Sequence, residues 1–276
     1  MSTTVEKHNG AFGASALSSS ELDELRMVTD ESLVPRGPEM LFDLFARFEI
    51  QPGALVLDIG GRDALDAVQL ALRFDCRVLL IDGFGSNLDQ ASDRIREHGL
   101  RHRITTDLGQ PEALPVGNED VDYIWCRDVL NRTDLPRAIA ECNRAIRPGG
   151  GMLVYQSFAT ELLEPLEARR LYDAMGLIGE YMSVESFERE LRRTRFKIAD
   201  VEQIGSEWRE LWLEGGDRDL LDDLLRVARM RRTQDQLIAR YGKGRYEAVV
   251  AGSLWGIYQM LGKLCPSAYL LEKPYV

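Results

Sequence analysis

Histidine and cysteine are scarce in this chain, at three and four residues out of 276. The cysteines (Cys76, Cys126, Cys142, Cys265) are scattered, without a C-x-x-C pair. Their spacing favours neither a zinc site nor a disulfide framework, so no metal is expected. Cys76 and Cys126 sit in apolar runs, where a reduced thiol serves as a small core residue, and the expected location is cytoplasmic. No stretch approaches the roughly 20 apolar residues that span a bilayer. The polar start, residues 1–20, lacks the basic opening and apolar core of a secretory signal and reads as a disordered leader. Positive charge is also short: 34 Lys and Arg against 45 Asp and Glu leave a net charge of −11. That balance works against a nucleic-acid partner, whose phosphates need neutralising. The run Arg226, Arg229, Arg231, Arg232 lies near Asp217, Asp219, Asp222 and Asp223 and reads as a salt-bridged helix surface. No internal repeat is visible.

What is present is a regular alternation. Glu21 to Phe48 has apolar residues at helical spacing and is broken by Pro35 and Pro38. Ala54-Leu-Val-Leu-Asp-Ile59 then reads as a first strand, with Gly60-Gly61 and a helix from Ala64 to Phe74 behind it. Cys76 to Asp82 makes a second strand, followed by a helix from Asn87 to His98. Arg103 to Thr106 and Val121 to Cys126 are the third and fourth strands. A helix from Leu135 to Ile146 stops at Arg147-Pro-Gly-Gly150, and Gly151 to Gln156 is the fifth strand. Such βα units imply parallel strands with right-handed crossovers, and nearly continuous apolar strands imply a sheet covered on both faces. In the tail, Glu161 to Gly179, Val184 to Arg193, Asp217 to Tyr241 and Tyr246 to Leu264 read as helices. Phe196 to Ile204 alternates as a sixth strand, and Ser267 to Leu271 is a candidate seventh.

The acids stand at strand ends. Asp58 lies in strand one before the Gly60-Gly61 turn, Asp82 ends strand two and Asp107 follows strand three. Ligands of open parallel sheets bind at the carboxyl ends of strands, where strand order reverses. Asp82 is placed to accept from both ribose hydroxyls of a nucleoside. The two glycines admit close backbone approach. A nicotinamide fingerprint fails, because Leu65 stands where its third glycine belongs.

The runs Val56-Leu-Asp-Ile-Gly-Gly61, Leu80-Ile-Asp82, Ala113-Leu-Pro115, Val121-Asp-Tyr-Ile124 and Arg147-Pro-Gly-Gly150 resemble the class I S-adenosylmethionine-dependent methyltransferases. The likeness is to the branch with the ubiquinone/menaquinone and other small-molecule enzymes, and covers Gly53 to Tyr155. It implies a Rossmann-like, doubly wound, mostly parallel seven-stranded sheet, the last strand antiparallel, with helical cap insertions. It implies a cofactor site of Asp58, Gly60, Gly61, Arg62, Asp82, Gly83, Asp107, Leu108 and Arg127, with Asp107 and Leu108 flanking the adenine. Arg127 and Asp128 would face the methyl donor and the substrate. The family's Asp-x-Gly-x-Gly-x-Gly is broken here by Arg62-Asp63-Ala64, which implies a loop of different shape or looser cofactor contact. Asp63 is expected to cap the following helix.

The expected organisation is a leader (1–20), an N-terminal helical cap (21–50), an S-adenosylmethionine-binding core (51–160) and the rest of the sheet with helical lids (161–276). The expected activity is methyl transfer to O, N or C of a small-molecule acceptor, in biosynthesis. The alternatives are non-methylating chemistry, such as cyclisation within the cofactor, or a non-catalytic fold relative. Asp128 and Glu207 are the candidate bases, and Tyr155, Trp208 and Arg209 the candidate substrate contacts. Glu207-Trp-Arg-Glu210 reads equally as a substrate loop or a surface salt-bridge cluster. Trp255, Tyr258 and Met260 read as core, and His98 and His102 as remote from the crevice. The expected partner is a small molecule, with no nucleic acid and no membrane, and a homodimer left open.

Overall fold

The computed structural model describes residues 17–30 and 35–275. The chain divides into two units, Met1–Pro35 and Arg36–Val276. The described part of the first is α1 (Ser19–Asp30), begun by Ser18, whose hydroxyl takes the N–H of Glu21 while Glu21 accepts from the Ser18 N–H. Its Leu22, Leu25, Met27 and Val28 are exposed. Most of the leader expected over 1–20 lies outside the described residues.

The second unit is a seven-stranded sheet in the order β3-β2-β1-β4-β5-β7-β6. The strands are β1 (Leu55–Ile59), β2 (Arg77–Asp82), β3 (Ile104–Leu108), β4 (Val121–Arg127), β5 (Ile146–Ala159), β6 (Lys197–Gln203) and β7 (Leu264–Glu272). β7 lies antiparallel between β5 and β6, and the other pairings are parallel. Strand order reverses between β1 and β4, so the ligand crevice of this topology opens at their carboxyl ends.

Alternation within the strands builds both faces. Val56, Val78, Leu80, Tyr123, Trp125, Leu153 and Tyr155 point one way, under α2 (Met40–Ala46), α3 (Leu65–Phe74) and α4 (Gly85–Glu97). Phe42 of α2 stacks on Trp125 at 4.8 Å, and Phe45 meets the same ring edge-on. Leu57, Ile59, Ile81, Ile124, Cys126, Met152 and Val154 point the other way, toward α5 (Leu135–Ala145) and α7 (Val184–Arg192). α5 starts cleanly because Asp134 accepts from the Arg137 N–H and Pro136 fills the first turn, where no N–H is needed.

Several boundaries differ from the sequence reading. β3 runs on through Asp107 and Leu108, which are therefore strand residues. Arg147 to Gly150 belong to the start of β5, across a register shift opposite Val121 and Tyr123, rather than to a turn. The helix expected from Glu161 shrinks to α6 (Pro165–Met175), and Gly176 ends it in the left-handed conformation. Between β6 and β7 the chain makes four helices: α8 (Glu207–Glu214), α9 (Asp219–Arg232), α10 (Gln234–Tyr241) and α11 (Lys243–Met260). Asp217 to Tyr241 is thus two helices parted at Thr233, and Glu207 to Glu210 is the first turn of a helix rather than a loop. Arg226 does pair with Asp223 on that surface. Tyr258 is buried with Trp255 packed against its cluster.

Candidate functional site

The crevice is floored by the turn after β1. Asp58 is 2% exposed, and its Oδ2 has no hydrogen-bond partner. Burial pushes its carboxyl well above the usual range, with Asp66 and Asp82 adding to the rise and Arg127 opposing it. The N–H groups of Gly60 and Gly61 both donate to the Ile81 carbonyl, at 2.8 and 3.3 Å, which ties the turn to β2. Gly60 is left-handed (φ 72°). A Cβ on Gly61 would stand 2.5 Å from Asp58 Oδ2 and from Leu80 Cγ, so only glycine lets Asp58 lie under the turn.

Arg62 and Ala64, where the family pattern has glycine, are both left-handed, at φ 48° and 63°. The loop therefore takes, at both positions, the left-handed backbone that glycine adopts most readily, without the glycines. Each non-glycine residue in that region carries about 1–2 kcal/mol of strain. Asp63 does not cap α3. Ala64 is the N-cap, with no side-chain bond, and Asp63 instead pairs with Arg94 at 2.5 Å.

Asp82 closes the next side. Its Oδ2 accepts from the Arg62 N–H (3.2 Å) and its Oδ1 from the Phe84 N–H (2.9 Å) and Asn87 Nδ2 (3.0 Å). The carboxylate is thereby fixed at the end of β2 with lone pairs to spare. Gly83 makes room for the side chain of Gln110, 2.6 Å from where its Cβ would be. Leu108 stands directly across from Asp82 on β3, with Asp107 accepting from its N–H. Leu108 is 60% exposed and Phe84 70%, an apolar pair left open at the strand ends.

β4 supplies the opposite wall. Arg127 Nη1 lies 3.3 Å from both oxygens of Asp66, in the first turn of α3, and Asp66 also accepts from Trp125 Nε1 at 3.1 Å. The guanidinium of Arg127 sits 5.4 Å from the ring centres of Tyr155 and Trp208, which stack on each other at 4.8 Å and 2°. Asp128 is left-handed (φ 53°). Its N–H donates to the Tyr155 carbonyl, and its Oδ1 accepts from the Ser157 N–H at 3.2 Å. Burial raises its carboxyl to about 6 despite Arg127, the Ser157 N–H and two further arginines.

From there a polar chain runs into the helices before β7. Gln259 of α11, 3% exposed, donates Nε2 to Ser157 Oγ at 3.1 Å and accepts from Arg209 Nε at 2.8 Å. Burial pushes the Tyr155 hydroxyl up, with Asp128 adding to the rise.

The structure thus gathers Asp58, Gly60, Gly61, Arg62, Asp82 and Gly83 at one strand end. Asp107 and Leu108 stand beside them, with Arg127, Asp128, Tyr155, Trp208 and Arg209 at the β4–β5–α8 side. Glu207 is turned away. Both its oxygens are held by Arg36, through Nε at 2.8 Å, Nη2 at 2.9 Å and the backbone N–H at 3.1 Å. Those bonds pull its pKa down, which suits an ion pair and not a proton acceptor. Gln156 is also buried away from Tyr155, donating to the Tyr181 carbonyl. Asp66 and Gln259 were not among the sequence candidates. The one available signal for Gln259 was a lone amide inside an apolar helix.

Residues 56–150 match the methyltransferase domain family. The curated relatives include the ubiquinone/menaquinone biosynthesis C-methyltransferase UbiE of Vibrio campbellii, 31% identical over 139 residues, which are 48% of this chain and 52% of that protein. The chain spans about half the length of the curated relatives it matches. Among solved structures, a Haemonchus contortus phosphoethanolamine N-methyltransferase in complex with phosphomonomethylethanolamine and S-adenosylhomocysteine aligns with a TM-score of 0.66. It shares 18% identity and covers 93% of this chain and 57% of that one. The cyclase SpnF, which forms rings by 4+2 addition, aligns equally well at 0.66 and 22% identity, over 86% and 82% of the two chains. The chain carries a methyltransferase domain and has the fold of the class I S-adenosylmethionine-dependent methyltransferases. The ubiquinone/menaquinone branch is one of several kinds it resembles. Among the described residues no helix is long and apolar enough to cross a membrane, and no side-chain cluster is fit to hold a metal.

Proposed function

We propose that this chain binds S-adenosylmethionine and transfers its methyl group to an oxygen, nitrogen or carbon of a small-molecule acceptor, in cytoplasmic biosynthesis. The observation that carries the reading is the buried Asp58 carboxyl, whose Oδ2 is unpartnered beneath the Gly60-Gly61 turn, with Asp82 bonded to the N–H of the next residue, Arg62. Such a carboxylate calls for a cationic or hydrogen-bonding ligand group, and the ammonium of the methionine moiety supplies one. Asp82, already oriented by three donors, accepts the ribose hydroxyls. Leu108 and Phe84 offer apolar surface for the adenine, with Asp107 beside its exocyclic amine.

When bound, S-adenosylmethionine supplies an electrophilic methyl group on a sulfonium. The chain's own residues then align the acceptor, exclude water and take a proton. Arg127, fixed by Asp66 and the Tyr155–Trp208 stack, forms a rigid wall. Asp128 receives the acceptor's proton, since its Oδ2 makes no hydrogen bond among the described residues and a pKa near 6 suits a base at neutral pH. The four helices between β6 and β7 act as the lid.

Calorimetry of S-adenosylmethionine with the natural chain and with Asp82→Ala tests the site. Micromolar binding that weakens roughly 100-fold in the variant is expected, from two lost charge-assisted bonds. No binding to the natural chain refutes the reading. Bound cofactor whose labelled methyl reaches no acceptor, but is consumed within the thioether product, supports a non-methylating chemistry instead, as the fold alone permits.

A further inference from the structure

Arg209 is notable for the partner it lacks. Its half-buried guanidinium donates Nε to the neutral Gln259 and lies 5.0 Å over the Trp212 ring, and it enters no ion pair among the described residues. By contrast Arg127 rests on Asp66, Arg36 on Glu207 and Arg94 on Asp63. In a chain with an excess of 11 negative charges, a guanidinium drawn partly out of water without a carboxylate is costly. Among the described residues none of the acids around it forms an ion pair with it. Asp217 and Asp219 stand exposed on the rim of a cavity of about 160 Å³ that Arg209 also lines, and Asp217 turns inward to the Asp219 N–H. Asp223 is paired with Arg226, and Asp128, although its charge is felt by Arg209 across space, is joined to it by hydrogen bonds only through Ser157 and Gln259.

The neighbouring residue shows the same deficit independently. Trp208 is 5% exposed, and its Nε1 is buried with no acceptor, where a buried indole N–H ordinarily finds one. Two adjacent side chains of α8 therefore present donors without acceptors. Gly256 of α11 leaves the space the guanidinium needs, since a Cβ there would stand 3.1 Å from Arg209 Cζ. With Nε pinned by Gln259, the Nη edge is left to form a two-pronged contact.

We propose that the acceptor substrate carries an anionic oxygen group, a carboxylate or a phosphate, which Arg209 holds and for which Trp208 Nε1 is a second donor. This rests on the crevice being the methyl-acceptor pocket. The full chain loaded with S-adenosylhomocysteine is titrated by calorimetry with benzoate, phenyl phosphate and the neutral benzamide. At least one anion is expected to bind tenfold or more tightly than benzamide, and which one does so separates carboxylate from phosphate. Arg209→Gln is expected to abolish that preference while S-adenosylhomocysteine affinity stays within twofold. Should the glutamine variant fail to fold, Arg209→Lys keeps the charge and is expected to weaken the preferred anion at least threefold through loss of the fork. Equal binding of all three probes, no binding of any, or an unchanged preference in the variant overturns the proposal. A chain that does not take up S-adenosylhomocysteine at all instead overturns the cofactor reading, a separate and earlier result.

Discussion

Replacing Asp128 by asparagine removes a charge that burial disfavours while keeping the side chain's shape. Asparagine also tolerates the left-handed backbone at this position, φ 53°, as readily as aspartate. Burial raises the carboxyl from its ordinary 3.8 to about 6. A carboxyl whose folded pKa lies above its unfolded one contributes stability below about 3.8, and that contribution is lost as pH rises through about 6. The full span is about 3 kcal/mol at 1.36 kcal/mol per pKa unit. About one third of it is already gone at pH 4.5, where the unfolded carboxyl is mostly ionised, so about 2 kcal/mol is lost between pH 4.5 and 7.5. Urea unfolding of both proteins, without ligand, at pH 4.5, 6.0 and 7.5 isolates this term, because groups common to both cancel in the difference. The stability of the asparagine variant relative to the natural chain is expected to rise by about 2 kcal/mol across that range. Most of the rise, about 1.5 kcal/mol, is expected between pH 4.5 and 6.0, with levelling above pH 6. A flat difference would mean that Asp128 is well solvated or ionised throughout, and the argument for it as a tuned base would fail. The same variant, assayed for methyl transfer, is expected to lose activity most at neutral pH, where the carboxylate is the competent form.

Three further outcomes follow from the crevice. Glu207→Ala breaks the three bonds to Arg36 and is expected to destabilise the fold by about 1.5–3 kcal/mol while sparing kcat; a collapse of kcat at unchanged KM would restore Glu207 as the base. Because Arg36 depresses its pKa, the stability Glu207 contributes is present above the ordinary carboxylate range and is lost as pH falls through its lowered folded value, which acid unfolding of the two proteins would show. Arg62→Gly relieves an exposed left-handed residue and is expected to stabilise the unliganded chain by about 0.5–1 kcal/mol; a lower urea midpoint would contradict the strain. Gly61→Ala forces a Cβ against Asp58 and Leu80 and is expected to cost about 1–3 kcal/mol and abolish S-adenosylmethionine binding. Undiminished binding would place the ligand elsewhere.

Which parts of this site were readable in the sequence follows from how far each contact reaches along the chain. The parallel strands carry their own signature, since β1 and β2 are apolar on both faces, and each carries an acid within its last two residues. Asp58, Asp82 and Asp107 could therefore be placed at one edge from position alone, because parallel strands in one sheet share their carboxyl ends. The left-handed backbone at Arg62 and Ala64 was not readable, because nothing in those residue types demands it; the turn is imposed by the Ile81 carbonyl and by Asp82, 20 residues downstream of Arg62. Asp63 looked like a cap by its position before a helix, but Arg94, 31 residues away, outcompetes the local N–H groups. Glu207 failed as a candidate for the same reason, its partner Arg36 lying 171 residues away. The wall formed by Asp66, Arg127, Tyr155 and Trp208, and the chain from Asp128 through Ser157 and Gln259 to Arg209, join residues from β4, β5, α3, α8 and α11. Periodicity assigns each of these to an element but says nothing of which elements meet. Local pattern therefore located the edge proposed for the cofactor, which is built from consecutive strand ends, while the side proposed for the acceptor depends on how the helices between β6 and β7 fold back over the sheet, and tertiary packing alone decides that.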